Sequence, residues 1–234
     1  MAEPLILHYA PDNASLCVRL ALLALDAPFR TVLVDRRTGA AQAPAYLALN
    51  PNGLIPALET PDGAMFETAA ILLWLADRDP AGRLAPRFDH PDRGRFLTWL
   101  FWLSNTLHPA LRILFYPDKH IDSDHAKALV TRTQERVQSM LDILNAAVPT
   151  LDGWVGLPQT PILDCYLCPM LRWLALYPRG NTAWFDLSGW PHLHRIAATM
   201  DIRPITATAS RAEGLGPTPF SRPRLPNPPE GSAT

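Results

Sequence analysis

The chain changes texture near residue 80, and that switch limits what it can fold into. Before it, apolar residues come in short runs closed by turn residues: Leu5 to Tyr9 (LILHY), Phe29 to Val34 (FRTVLV) and Leu54 to Glu59 (LIPALE). Runs of that length, bounded by Pro, Asp, Asn and Gly, read as strands. After it, Phe96, Leu100, Leu103, Leu107, Leu111 and Leu114 recur at three- and four-residue steps, marking one face of a long helix. Val130, Val137, Leu141, Leu144 and Val148 mark a second helix; Leu163, Leu167, Leu171 and Leu174 a third; Leu193, Ile196, Ala197 and Met200 a short fourth. Pro109 and Pro169 fall inside two of these helices and should kink them. The reading is a mixed α/β half followed by an all-α half.

Within the first half, Ser15 to Leu25 is an apolar helix that Asn13 or Ser15 caps and Pro28 ends. Strand, helix and strand within about 30 residues imply a parallel pair joined by a crossover helix. Gln42 to Leu49 suits a short helix, and Asn50-Pro51-Asn52-Gly53 a turn. Pro56 cannot donate to a sheet ladder, so the strand around it is interrupted there or lies at an edge. Pro61-Asp62-Gly63 turns into a short return strand, and Glu67 to Ala76 is a helix. The resulting order is β-α-β-α-β-β-α over residues 1–80. Residues 81–92 read as a charged, proline-bearing linker and 93–208 as the helical domain. Residues 209–234 read as a flexible tail, because the last 23 residues hold six prolines and few large apolar groups.

Composition narrows the function classes. Hydrophobic residues make up 48% of the 234, enough for a substantial core. A net charge of −1 lacks the basic excess that nucleic-acid or membrane-surface binding needs. Small molecules and other proteins are the expected partners. Three cysteines, Cys17, Cys165 and Cys168, argue against a disulfide framework and for a reducing compartment. The N-terminus has neither the basic region nor the apolar length of a signal peptide, and no stretch approaches the length of a bilayer span. The cytoplasm is the expected location.

Four segments together resemble the soluble glutathione transferases, and their order covers about residues 4–206. They are Asn50-Pro51-Asn52-Gly53-Leu54-Ile55-Pro56-Ala57-Leu58, Glu67-Thr68, Asp164 to Trp173, and Trp190-Pro191-His192-Leu193 with Arg203-Pro204. The resemblance implies a thioredoxin-like N-terminal domain, a helical-bundle C-terminal domain, a cis bond at Pro56 and a homodimer. It implies glutathione as co-substrate and no metal. Ile55, between Leu54 and Pro56, would pair through its backbone with the cysteinyl unit of glutathione, as in strand addition. Glu67-Thr68 opens a helix, where free N–H groups favour an anion. The resemblance places the γ-glutamyl carboxylate at Thr68 and the amino group at Glu67. Helix capping alone would also explain that pair. Arg36 and Arg37 stand where the family often has a cation for the glycyl carboxylate, and Arg37 is the candidate taken.

Thiol activation would fall to the segment leading into the first helix. Tyr9 to Arg19 looks most like the bacterial class with the motif Pro-x-x-Cys-Ser-Leu, but the cysteine position holds Ala14 here. Ser15 matches the adjacent serine and sits at a helix start, suited to hold a thiolate; Asn13 is the second candidate donor, and Tyr9 packs in the sheet. His108 matches a histidine of the same class that reaches the cleft between domains. With Trp102, Leu111, Phe115 and Tyr116 around it at helical spacing, it suggests an apolar substrate pocket. Cys165-x-x-Cys168 lies within a helix of the wrong domain for redox chemistry and lacks a second ligand pair for zinc, so it reads as core. The family's capping hydroxyl before the buried Asp164 is replaced by Pro161, with Thr160 one place earlier. The resulting expectation is a detoxifying transferase that joins glutathione through sulfur to small apolar electrophiles. The alternatives are glutathione-dependent isomerase, lyase or reductase chemistry, and a non-catalytic binding or regulatory protein of the same fold.

Overall fold

A computed structural model describes residues 4–151, 154–156 and 161–233; the expectation about Thr160 lies outside them. Strand β1 (Leu5–Tyr9) pairs in parallel with β2 (Phe29–Leu33) and antiparallel with β3 (Ala57–Thr60). β3 pairs antiparallel with β4 (Gly63–Phe66), which gives the sheet order β2-β1-β3-β4. Helix α1 (Ser15–Leu25) makes the crossover between β1 and β2. It ends on Asp26 in the left-handed region at φ 55°, just before Pro28. α2 is one turn (Pro44–Leu47), and α3 (Thr68–Ala76) follows β4. β3 starts only after Pro56, where backbone donors resume.

The helical half begins with α4 (Arg93–Trp102), and α5 (His108–Phe115) continues it. The five residues between them, Leu103–Leu107, form a π-helical turn. Pro109 has no N–H for the carbonyl four residues back, and its ring crowds that carbonyl, so the helix widens there. α6 (Ser123–Ala147) and α7 (Ile162–Leu176) follow, and α7 runs through Pro169 as one element. α8 (Pro191–Asp201) and α9 (Pro204–Glu213) complete the set; α9 carries the helical region past residue 208.

The two halves share one apolar core. Leu7, Leu16 and Leu72 belong to the same buried cluster as Leu107, Tyr166 and Leu171. α1 packs on α3, α7 and α9, so three helices from both halves meet around it. Cys165 and Cys168 are fully buried in this cluster, as expected of core residues. Asp164 accepts the Gly156 N–H on both oxygens, at 3.0 and 2.9 Å. Among the described residues, no helix is long and apolar enough to cross a membrane.

The expectation of a flexible tail is corrected. Leu215 and Phe220 are each 1% exposed. Asp201 accepts from the Phe220 N–H at 2.8 Å and the Ser221 N–H at 3.0 Å. Glu230 accepts from the Tyr9 hydroxyl, and Gly231 packs against Leu33 and Pro11. A proline-rich segment has less chain entropy to lose on ordering, and here carboxylates and an aromatic anchor fix it to surfaces made by other elements.

Candidate functional site

A cavity of about 640 Å³ opens between the two halves. One wall comes from the β1–α1 turn (Asp12, Asn13, Ala14), the turn before β3 (Leu54, Ile55, Pro56) and the start of α3 (Glu67, Thr68). The other comes from the π turn and α5 (Ser104, His108, Arg112, Phe115) and from α7 with the residues after it (Tyr166, Trp173, Tyr177, Arg179). Arg36 and Ala233 also reach it.

The sheet-side wall combines a cis bond with backbone groups that are in part unpaired among the described residues. The Ile55-Pro56 bond is cis. The Leu54 carbonyl is used, accepting from the Tyr46 hydroxyl and the Asn50 amide at 2.7 Å each. The Ile55 N–H and C=O hydrogen-bond to nothing among the described residues. Glu67 caps α3 at φ 69°, ψ 111°, a conformation a non-glycine residue rarely adopts, and its side chain makes no capping bond. The simple capping reading therefore does not describe Glu67. Glu67 and Thr68 both line the cavity, and the first N–H groups of a helix have no partner within the helix.

Four residues named from the sequence, Ser15, Arg37, Leu111 and Trp102, are not brought to this cavity; the Trp102 ring instead lies 5.4 Å from that of Trp99. Ser15 is fully buried; its hydroxyl donates to the Ala10 carbonyl at 3.1 Å and accepts the Ala10 N–H at 3.3 Å, closing the β1–α1 turn. Arg37 points to solvent and pairs with Asp35 at 3.3 Å. It is Arg36 that reaches the cavity, donating to the Ala233 carbonyl at 2.7 Å and the Tyr116 hydroxyl at 3.1 Å. In a turn with two adjacent arginines, backbone direction decides which one faces in. Leu111 is fully buried in the helical core, while Phe115, one turn on, lines the cavity.

Asn13 does line it. Its side-chain oxygen accepts the Ala14 N–H at 2.8 Å, which leaves the amide –NH₂ as a donor without a described partner. His108 Nδ1 lies 2.9 Å from the Tyr166 hydroxyl, and its ring is 5.9 Å from that of Trp173. Burial, with a smaller push from Arg112, lowers the His108 pKa to about 4, so the imidazole is neutral at pH 7. Among the described residues no cluster of His, Cys, Asp and Glu could hold a metal ion. All three cysteines are buried and none lines the cavity.

Behind the β1–α1 turn lies a buried ionic network that the sequence reading did not anticipate. Asp12, at φ 50°, accepts from Arg172 Nε (2.8 Å) and Nη2 (2.9 Å), Trp173 Nε1 (2.9 Å) and the Tyr177 hydroxyl (2.9 Å). Its backbone N–H donates to Glu213 at 2.8 Å, and Glu213 also accepts from Arg19 Nε at 2.6 Å. Arg172 donates further to the carbonyls of Pro219 and Arg224 in the tail, at 3.1 and 3.0 Å. One signal pointed this way: an arginine inside the otherwise apolar stretch Met170-Leu171-Arg172-Trp173-Leu174 needs a buried carboxylate.

The model of the glutathione S-transferase N-terminal domain matches residues 14–78. Glutathione S-transferase GST-4.5 of Xanthomonas campestris pv. campestris is 31% identical over 216 residues, covering 89% of this chain and 98% of its own. Disulfide-bond oxidoreductase YfcG of Escherichia coli is 27% identical over 217 residues, covering 90% and 96%. The solved sphingomonad glutathione S-transferase complexed with glutathione superposes with a TM-score of 0.72 at 32% identity, covering 90% of this chain and all of that one. With its fold, its interdomain cavity and these relatives in agreement, the chain belongs to the glutathione S-transferase family.

Proposed function

We propose that the protein binds glutathione in this cavity and transfers it, through sulfur, to a small electrophile with an apolar body. The carrying observation is the sheet-side wall: an unused Ile55 backbone pair, next to the α3 N-terminus at Glu67-Thr68. The cysteinyl unit then pairs with Ile55. The γ-glutamyl carboxylate takes the Thr68 hydroxyl and the α3 N–H groups, its ammonium faces Glu67, and the glycyl carboxylate meets Arg36. Pairing a charged group at each end of the peptide fixes its thiol near Asn13 and the start of α1.

Asn13 is the thiolate donor in this reading, in place of Ser15. Its free amide hydrogens and the positive end of α1 both favour the ionised sulfur. The thiol proton leaves to solvent. The sulfur lone pair forms the C–S bond, and a leaving group departs with its bonding pair; on an activated alkene, the carbanion formed takes up a proton instead. Phe115, Pro109 and Trp173 offer the apolar surface for the second reactant, and holding both reactants together lowers the entropy cost of the encounter. A cytoplasmic homodimer fits the reduced, buried cysteines and the family's habit.

The test is calorimetry with glutathione, followed by conjugation of a neutral chloronitrobenzene. Thr68→Val should weaken glutathione binding roughly 10- to 100-fold, the worth of one hydrogen bond to a charged group. Asn13→Ala should leave that affinity nearly intact, raise the pKa of the bound thiol and slow turnover roughly 10- to 100-fold. Failure of the unmodified protein to bind glutathione would sink the proposal. Unchanged turnover in Asn13→Ala would move activation to the α1 backbone or His108.

A further inference from the structure

Three guanidinium groups reach the cavity, and they are not equivalent. Arg36 is already anchored by Ala233 and Tyr116. Arg112, on α5, has no ion pair or side-chain hydrogen bond among the described residues; its guanidinium lies 5.8 Å from the centre of the Tyr116 ring. Arg179, just after the second cis bond at Tyr177-Pro178, likewise has no acidic partner.

The cavity's own acids do not answer these charges. Asp12 is consumed by Arg172, Trp173 and Tyr177. Glu67 belongs to the sheet half, at the cap of α3, and the proposed glutathione pose uses it for the ammonium. Both free arginines belong to the helical half, where Phe115 and Trp173 provide apolar surface. His108, held neutral mainly by burial, adds no charge there. Two unneutralised guanidinium groups beside an aromatic surface fit an apolar ligand with an oxyanion at one end. Arginine recognises a planar carboxylate through two parallel hydrogen bonds.

We propose that Arg112 and Arg179 form a carboxylate-binding subsite for the second substrate, so that the preferred electrophile is an aromatic or otherwise apolar molecule bearing a carboxylate. The inference rests on the glutathione reading of the cavity. That reading assigns glutathione's two carboxylates to Arg36 and to the α3 N-terminus, leaving this pair for the electrophile.

Two conjugates differing only in this group test it by calorimetry on the full chain: S-benzylglutathione and S-(4-carboxybenzyl)glutathione. The carboxylated conjugate should bind about tenfold more tightly. Arg112→Gln and Arg179→Gln should each shrink that preference, and together bring it within about twofold, while binding of S-benzylglutathione and of glutathione stays unchanged. Arg179 is exposed, so its substitution leaves the fold intact if Arg112→Gln does not. Equal binding of the two conjugates overturns the subsite and leaves the glutathione site standing. A comparable loss for glutathione itself would show that these arginines hold the tripeptide, and also overturns it. If neither conjugate nor glutathione binds, the cavity reading fails and this inference with it.

Discussion

Asp12 carries more of this structure than its exposed-looking sequence context suggests. Its carboxylate meets four donors in a site where Arg172 is wholly buried. Removing one partner of such a pair leaves an uncompensated buried charge, which costs about 3–5 kcal/mol. Asp12→Asn should therefore lower the melting temperature by on the order of 10 °C, given roughly 2–4 °C per kcal/mol at this size. It should also slow turnover, because the same turn presents Asn13 to the cavity. A melting temperature within about 2 °C of the unmodified protein would contradict this account. His108 makes a second residue-level prediction. With its pKa near 4, its ring resonances should not titrate between pH 5.5 and 8 in an NMR series. A midpoint near 6.5 would mean that the ring is hydrated and free to become a cation.

Among the elements, α7 joins most of the functions. It presents Trp173 and Tyr166 to the cavity, Arg172 to Asp12, and Asp164 to Gly156. Burial raises the Asp164 pKa to about 7, against the pull of the Gly156 N–H and Arg203. The folded state thus holds its proton more tightly than the unfolded chain, whose carboxyl has the ordinary value near 4. Between about pH 4 and 7 the folded form binds more protons, so this group's contribution to stability falls as pH rises through that window. Asp164→Asn keeps an acceptor for the Gly156 N–H and removes the titration. Denaturant unfolding of the two proteins should show the variant gaining on the original from pH 4 to 7, with the difference level above it. A difference independent of pH would mean that Asp164 stays ionised throughout.

On the scale of the whole molecule, the chain's end returns to its beginning. The tail lends carbonyls to Arg172, Glu230 to Tyr9 and the Ala233 carbonyl to Arg36. Deleting residues 215–234 would strip the cover from a core that includes Phe220 and leave Arg172 with two fewer acceptors. Losing one large buried side chain costs about 1.5–3 kcal/mol and an unmet charged donor more. The truncated protein should melt roughly 5–15 °C lower. Its KM for glutathione should rise several-fold as Arg36 loses its anchor. Unchanged melting and KM would show the tail to be passive. The relatives match nearly their full length, while about a tenth of this chain lies outside the match.

Local chemistry was enough to read much of this from the sequence. Run lengths and apolar spacing marked β1, α1, β2, α3 and the faces of α4 to α8, because strand and helix periods depend on neighbouring residues alone. Pro56 marked a break or edge in the run Leu54 to Glu59, of which β3 keeps only the part after the proline, and Glu67-Thr68 marked a helix opening, for the same reason. What the sequence left open turned on partners far away in the chain. Whether Ser15 or Asn13 faces the cavity depends on a hydroxyl satisfied by Ala10 across a turn. Whether Arg36 or Arg37 faces in depends on where Ala233 and Tyr116 arrive. The tail looked flexible because its own composition buries little, yet it is ordered by surfaces that other elements supply. Asp12 and Arg172, 160 residues apart, had no local signal linking them. A buried charge is settled only by the group that comes to meet it, and only the tertiary structure brings the two together.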